Sequence, residues 1–192
     1  MSYLSIEHLD KRFVRGNLAS QVLKDINLSV RQGERIVLCG PSGSGKSSLL
    51  MLMGGLERPT AGRVTALGQE LSGMDEDGLA RFRRGRMGIV FQSFHLVPTM
   101  TALENVALPL SVAGQPVDMD ALRDLLGWVQ LSQHARALPP SLSGGERQRI
   151  VLARALLLPF RVLILDESLS EVDASAAAAI LAAILARHPD RT

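Results

Sequence analysis

The run Gly40-Pro41-Ser42-Gly43-Ser44-Gly45-Lys46-Ser47 constrains the fold of this chain more than any other feature. It fits G-x-x-x-x-G-K-[ST], a pattern in which a glycine-rich loop leads from a strand into a helix. The flanks agree. Arg35, Ile36, Val37, Leu38 and Cys39 predict a short buried strand, and Ser48 to Met53 predict a helix. In such a setting the loop amides cradle phosphates, Lys46 reaches the β and γ oxygens, and the Ser47 hydroxyl binds Mg²⁺. The run implies an α/β fold with a nucleoside triphosphate site.

A second anion site is written in Leu142-Ser143-Gly144-Gly145-Glu146-Arg147-Gln148-Arg149. A hydroxyl and two glycines precede a helical run that continues through Ile150, Val151, Leu152 and Ala153. Glycines let backbone N–H groups approach a ligand closely, and a helix N-terminus adds unpaired donors and a partial positive charge. Taken alone, the same residues also fit an ordinary serine-capped helix.

The third element is Arg161-Val162-Leu163-Ile164-Leu165-Asp166-Glu167. Four consecutive aliphatics predict a strand buried on both faces of a parallel sheet. Asp166 and Glu167 then emerge at its carboxyl end, where open α/β sheets bind ligands. Asp166 suits a Mg²⁺ contact, and Glu167 suits a general base or water-positioning group for attack on a γ-phosphate.

Phosphate loop, LSGGE and aliphatic-run-Asp-Glu, in this order, resemble the nucleotide-binding domain of ATP-binding cassette (ABC) proteins. The likeness covers nearly all the chain and is closest to the branch serving lipoprotein release and macrolide export. It implies a P-loop NTPase (RecA-like) α/β core with an N-terminal antiparallel β subdomain and an inserted α-helical subdomain. It implies ATP and Mg²⁺ as cofactors. Gly40 to Ser48 hold the nucleotide, Lys46 and Glu167 act in hydrolysis, and Gln92 senses both metal and attacking water. Ser47, Gln92 and Asp166 form the metal set. Phe13 falls where the family places an aromatic under the adenine; its alternative is a core aromatic. Gln92 has the alternative of a plain polar loop residue. Asp173 stands at the D-loop position and is also a good helix cap. In the family two domains pack head to tail, so Ser143, Gly144 and Gly145 contact ATP held by the other subunit. The implied partners are a second such subunit, expected to be a copy of this chain, and a transmembrane permease. The implied location is the cytoplasmic face of the inner or plasma membrane. The alternatives are a catalytically weak ATP-binding module and a soluble ABC-type ATPase unconnected with transport.

The expected organisation is one domain: β subdomain over 1–31, core over 32–91 and 141–192, helical subdomain over 92–140. Turns are predicted at Arg15-Gly16-Asn17 and Arg31-Gln32-Gly33. Thr101 with Glu104 predicts a capping box, and Leu122, Leu125, Leu126 and Val129 have helical spacing, whereas Pro109, Gly114 and Pro116 break the pattern. Phe94, Leu96 and Val97 offer either an apolar groove to a membrane subunit or ordinary core.

Charge and composition exclude little else. The net charge of +2 gives no argument for nucleic acid, and the cluster Arg81, Arg83, Arg84, Arg86 reads as a solvated face. The single cysteine, Cys39, cannot form an internal disulfide. No signal peptide and no apolar stretch long enough to span a bilayer are visible, so any pore belongs to another polypeptide. Two departures from the family pattern stand out. Ser168-Leu169 replaces the usual Pro-Thr, and the helix expected over 174–187 runs into His188-Pro189 instead of a strand carrying a switch histidine. The expectation is a chain truncated before that strand, with slow turnover.

Overall fold

The computed structural model describes residues 2–16, 18–91, 93–157 and 159–167, and beyond these 172, 175, 177–180 and 182. The chain divides into two compact units. One holds the residues up to Met87 together with Arg161–Ile164; the other holds Gly88–Phe160 and the described residues from Leu165 onward.

In the first unit β1 (Ser2–Arg15) and β2 (Leu18–Arg31) form a long antiparallel hairpin, within the antiparallel β subdomain expected over 1–31. The sheet extends further than the sequence suggested. After α1 (Lys46–Met53), β3 (Ala61–Ala66) pairs antiparallel with β1 and β4 (Gln69–Glu70) pairs with β3, giving the order β2-β1-β3-β4. Leu4, Ile6, Val64 and Ala66 point inward from facing strands and are almost completely buried. The ladder slips between Ile6 and Leu9, where His8 adopts a φ of 49°. Gly62 lies against that bulge: a Cβ there would stand 2.2 Å from the His8 carbonyl oxygen, so only glycine fits.

Helix α2 (Glu76–Arg83) starts at Asp75, whose carboxylate accepts from the Gly78 N–H. Its basic cluster is only partly a solvated face. Arg83 donates to the Gly55 carbonyl and Arg86 lies 5.3 Å over the Phe82 ring, leaving Arg81 and Arg84 exposed.

The predicted buried strand at 35–39 is corrected. Residues 34–41 form no strand, Val37 is 83% exposed, and Cys39 is exposed. Aliphatic residues favour extended backbone, but burial in a parallel sheet also needs a hydrogen-bonded neighbour, and neither sheet among the described residues includes this segment. A milder version of this effect holds for β6 (Val162–Leu165). Val162 and Ile164 are buried but Leu163 and Leu165 only half-buried, because among the described residues β6 pairs with β5 (Met87–Val90) alone. The Val162 N–H bonds to the Arg86 carbonyl and the Asp166 N–H to that of Val90, a parallel register.

The second unit is helical: α3 (Ala102–Val112), α4 (Met119–Trp128), two 3-10 turns at Ser132–His134 and Pro139–Ser141, and α5 (Gly144–Leu157). Thr101 and Glu104 form the expected capping box. Leu122, Leu125, Leu126 and Val129 join Val106, Ile150 and Ala153 in one buried cluster. Pro109 does not break the pattern, since α3 runs through it to Val112. A proline there leaves the carbonyl four residues back, that of Asn105, without its helical donor. The Arg154 Nε supplies the replacement at 3.1 Å. Of the helix expected over 174–187, the described residues Ser175, 177–180 and Ala182 are helical, and Ile180 is buried.

Candidate functional site

The phosphate loop belongs to the first unit. Pro41 to Ser44 close a turn in which the Ser44 N–H bonds to the Pro41 carbonyl. Gly45 caps α1 in a left-handed conformation (φ 90°, ψ 8°). A Cβ on Gly45 would lie 3.0 Å from both Leu23 Cδ2 and Val22 Cγ1 and 3.1 Å from the Val22 carbonyl oxygen. Glycine is therefore required twice over, by backbone conformation and by the close approach of β2. The Lys46 ammonium folds back over the loop, donating to the carbonyls of Gly40 (2.9 Å) and Pro41 (3.0 Å). Gly40, Ser42, Gly43 and Ser44 are exposed, and Ser47 and Ser48 are half-buried on the first turn of the helix.

Phe13 lies at the surface near the end of β1. The residue is 42% exposed, which does not fit the core alternative, and the Lys11 ammonium sits 4.9 Å from the ring centroid. That ammonium is itself held by the Arg58 carbonyl and the Glu57 carboxylate. In the hairpin Lys11 pairs with Leu23, the residue packed on Gly45. Phe13 lies two residues further, roughly 7 Å along the strand.

In the second unit, α5 begins with the signature residues. The Ser143 N–H and Oγ–H both donate to Glu146 Oε2, at 2.7 and 2.9 Å, and the Glu146 N–H returns a bond to Ser143 Oγ at 3.3 Å. This capping box, with Gly144 and Gly145 in the first turn, makes the serine-capped helix a fact of the fold alongside any role in anion binding. The backbone and side-chain bonds from Ser143 hold the Glu146 carboxyl below its usual range.

At the end of β6, Asp166 is buried, 8% exposed, and Glu167 turns into the left-handed region at φ 49° with its side chain exposed. Backbone of this kind is uncommon for a residue other than glycine and tends to collect at functional positions. Buried Gln148 of α5 reaches toward it, its Nε2 lying 3.4 Å from the Glu167 carbonyl oxygen. The second unit thus brings the signature helix and the acidic pair together. Gln92 and Asp173 lie outside the described residues.

Two supporting residues were not singled out from the sequence. Asn105, fully buried, donates from Nδ2 to the carbonyls of Val97, Met100 and Thr101, while its Oδ1 accepts from the Val97 N–H and from Arg154. Arg154 also donates to the His95 carbonyl. Together they tie the segment after Gln92 to α3 and α5. This favours the core alternative for Leu96 and Val97: Leu96 packs on the buried cluster and Val97 is gripped by Asn105. Phe94 lies under the Arg147 guanidinium at 4.9 Å. A polar residue between Glu104 and Val106 in a capped helix was the available signal for Asn105. No local pattern marks Arg154.

Comparison with known proteins agrees with this arrangement. The ABC transporter family profile matches residues 23–170. The lipoprotein-releasing system ATP-binding protein LolD of Geobacter metallireducens is 45% identical over 174 residues, covering 90% of this chain and 77% of that protein. The dimeric, post-hydrolysis structure of the ATP-binding cassette MJ0796, bound to ADP and Pi, superposes with a TM-score of 0.89 at 32% identity, covering 97% of this chain and 83% of the other. A second dimeric structure of MJ0796, described as a bacterial ABC transporter cassette, gives 0.87 at 32% identity, with 97% and 82% covered. With phosphate loop, signature helix and Asp-Glu strand end in the order that family requires, the chain belongs to the ABC transporter family and carries its ATP-binding P-loop fold.

Proposed function

We propose that this chain is the ATP-binding and ATP-hydrolysing subunit of an ABC transporter, powering lipoprotein release or small-molecule export through a separate membrane subunit. The observation that carries the reading is the concurrence, in one chain, of a glycine-capped phosphate loop, a capped LSGGE helix and Glu167 at a left-handed strand end. The likeness to a lipoprotein-releasing ATP-binding protein narrows the branch. No helix among the described residues is long and apolar enough to cross a membrane, which suits a subunit seated against the cytoplasmic face of the inner membrane.

The loop amides and Lys46 take the phosphates, with the ammonium exchanging the Gly40 and Pro41 carbonyls for phosphate oxygens. Phe13 stacks on the adenine. Ser47 and Asp166, with Gln92, would hold Mg²⁺ through hard oxygen donors of the kind that ion prefers. No group of three or more His, Cys, Asp or Glu among the described residues forms an all-protein cage, in keeping with a metal that arrives with its nucleotide. When bound, Mg²⁺ neutralises charge on the transferring phosphoryl group. The exposed Glu167 carboxylate orients and deprotonates the attacking water. Two copies pack head to tail, so that Ser143, Gly144 and Gly145 face the nucleotide of the partner, with Asp173 assigned the D-loop role.

Turnover and binding separate this reading from an inert binder. Wild-type protein binds ATP and hydrolyses it, and Glu167→Gln keeps binding while losing turnover by about 100-fold or more, the range for removing a general base. Failure of the wild type to bind ATP, or full turnover in the mutant, overturns the proposal.

A further inference from the structure

We propose that Glu146 acts as a charge brake on the signature loop, its carboxylate holding the Ser143 hydroxyl and opposing the nucleotide anion that the loop receives. The inference rests on the head-to-tail reading above and specifies how strongly that face binds. Glu146 Oε2 accepts both hydrogens that Ser143 has to offer, from N at 2.7 Å and from Oγ at 2.9 Å. The other oxygen, Oε1, lies 3.3 Å from His134 Nε2, contributed by the 3-10 turn before the signature. His134 Nδ1 is buried with no hydrogen-bond partner. The Nε2 side of the ring therefore faces the Glu146 carboxylate and helps to orient it. His134, and then Arg149 on the same helix, favour the ionised carboxylate as well. A carboxylate that accepts from both Ser143 N and Ser143 Oγ, and is held below its ordinary range by them, stays ionised at neutral pH.

A phosphate approaching Ser143 must draw the hydroxyl hydrogen away from Glu146 and do so beside a like charge. Like charges at such range repel appreciably even at a protein surface. The device weakens the closed dimer, which favours release after each cycle. Glu146 is thus a positioning residue acting through Ser143.

The test uses the full chain carrying Glu167→Gln, so that ATP is not consumed, with Mg-ATP present and the monomer–dimer equilibrium followed by sedimentation. Adding Glu146→Gln removes the charge and keeps an acceptor suited to a capping box. The expected result is a dimer about 3–10-fold tighter, with a weaker dependence on salt and an unchanged melting temperature. Glu146→Ala is expected to tighten the dimer as well while lowering the melting temperature, because the charge and the cap are lost together. A dimer unchanged or weakened by Glu146→Gln overturns the inference alone. Absence of any ATP-dependent dimer in the Glu167→Gln parent overturns the head-to-tail reading and the inference with it.

Discussion

The phosphate loop and the signature helix are both glycine-rich starts of helices, yet they are held by opposite means. The loop is shaped by backbone: left-handed Gly45 pressed under Val22 and Leu23, and a lysine bonded to its own loop carbonyls. The segment leading into it is exposed and joins no sheet among the described residues. The signature helix is fixed by side chains: a reciprocal cap at Ser143 and Glu146, then Gln148 and Arg154 bonding to neighbouring segments. A loop with few side-chain anchors accommodates a ligand by local adjustment. A helix tied into a buried polar network moves only with everything it is tied to.

The largest test of that contrast is Asn105→Leu. Five hydrogen bonds end on this side chain, one from the Arg154 guanidinium, which burial already presses toward a lower pKa. Leucine leaves three carbonyls, one N–H and part of a half-buried cation without these partners. The expected loss is about 3–5 kcal/mol of stability, read from denaturant unfolding. A loss below about 1 kcal/mol would mean that the helical unit stands on its apolar cluster and that the network is incidental.

Gly45→Ala probes the other side. The methyl meets two side chains and a carbonyl at 3.0–3.1 Å in a conformation that alanine resists. Strain and contact together cost about 2–3 kcal/mol. Because the residue shapes the loop, the cost emerges as about 10–100-fold weaker nucleotide binding, measured by titration of folded protein. Unchanged affinity would show that the loop tolerates a shift of β2.

What the sequence disclosed follows from the same contrast. Backbone devices leave local signatures: the spacing of glycines, a lysine and a serine located the loop, and Ser143 with Glu146 lay three residues apart. The capping box at Thr101 and the apolar face of α4 were legible for the same reason. Long-range pairing was not. Residues 35–39 carry the composition of a buried strand, but whether a strand is buried depends on neighbours that composition does not name. Pro109 read as a breaker because its compensation, Arg154, lies 45 residues away in the chain. Strand β3 was missed because Ala61, Gly62 and Arg63 have little β character, and pairing with β1 overrides it.

Ser143→Ala is a smaller test of the side-chain half. It removes the hydroxyl that accepts from the Glu146 N–H and donates to its carboxylate, worth about 1 kcal/mol for a helix cap. The loss is measured by thermal or denaturant unfolding. A neutral result would place the weight of the helix start on the Ser143 N–H alone.

The smallest effect is on pH. Backbone bonds from Ser143 and Thr101, and secondarily their hydroxyls, hold Glu146 and Glu104 below the ordinary carboxylate value of 4.5. A carboxylate with a depressed folded-state pKa contributes stability that is fully present above its unfolded value and is lost as pH falls through the folded one. The two capping boxes therefore persist at neutral pH and release below about pH 4.5. Glu104 is exposed and Glu146 half-buried at a helix start near the surface, so this shift changes global stability little, and the amide protons of Ser143 and Thr101 are the better reporters. Their chemical shifts should titrate together with their glutamates at midpoints under 4.5, and Glu146→Gln should abolish the Ser143 transition while sparing that of Thr101. A midpoint at or above the ordinary value for Ser143 would mean that the carboxylate is not held by the helix start, and the side-chain half of the contrast would lose its first anchor.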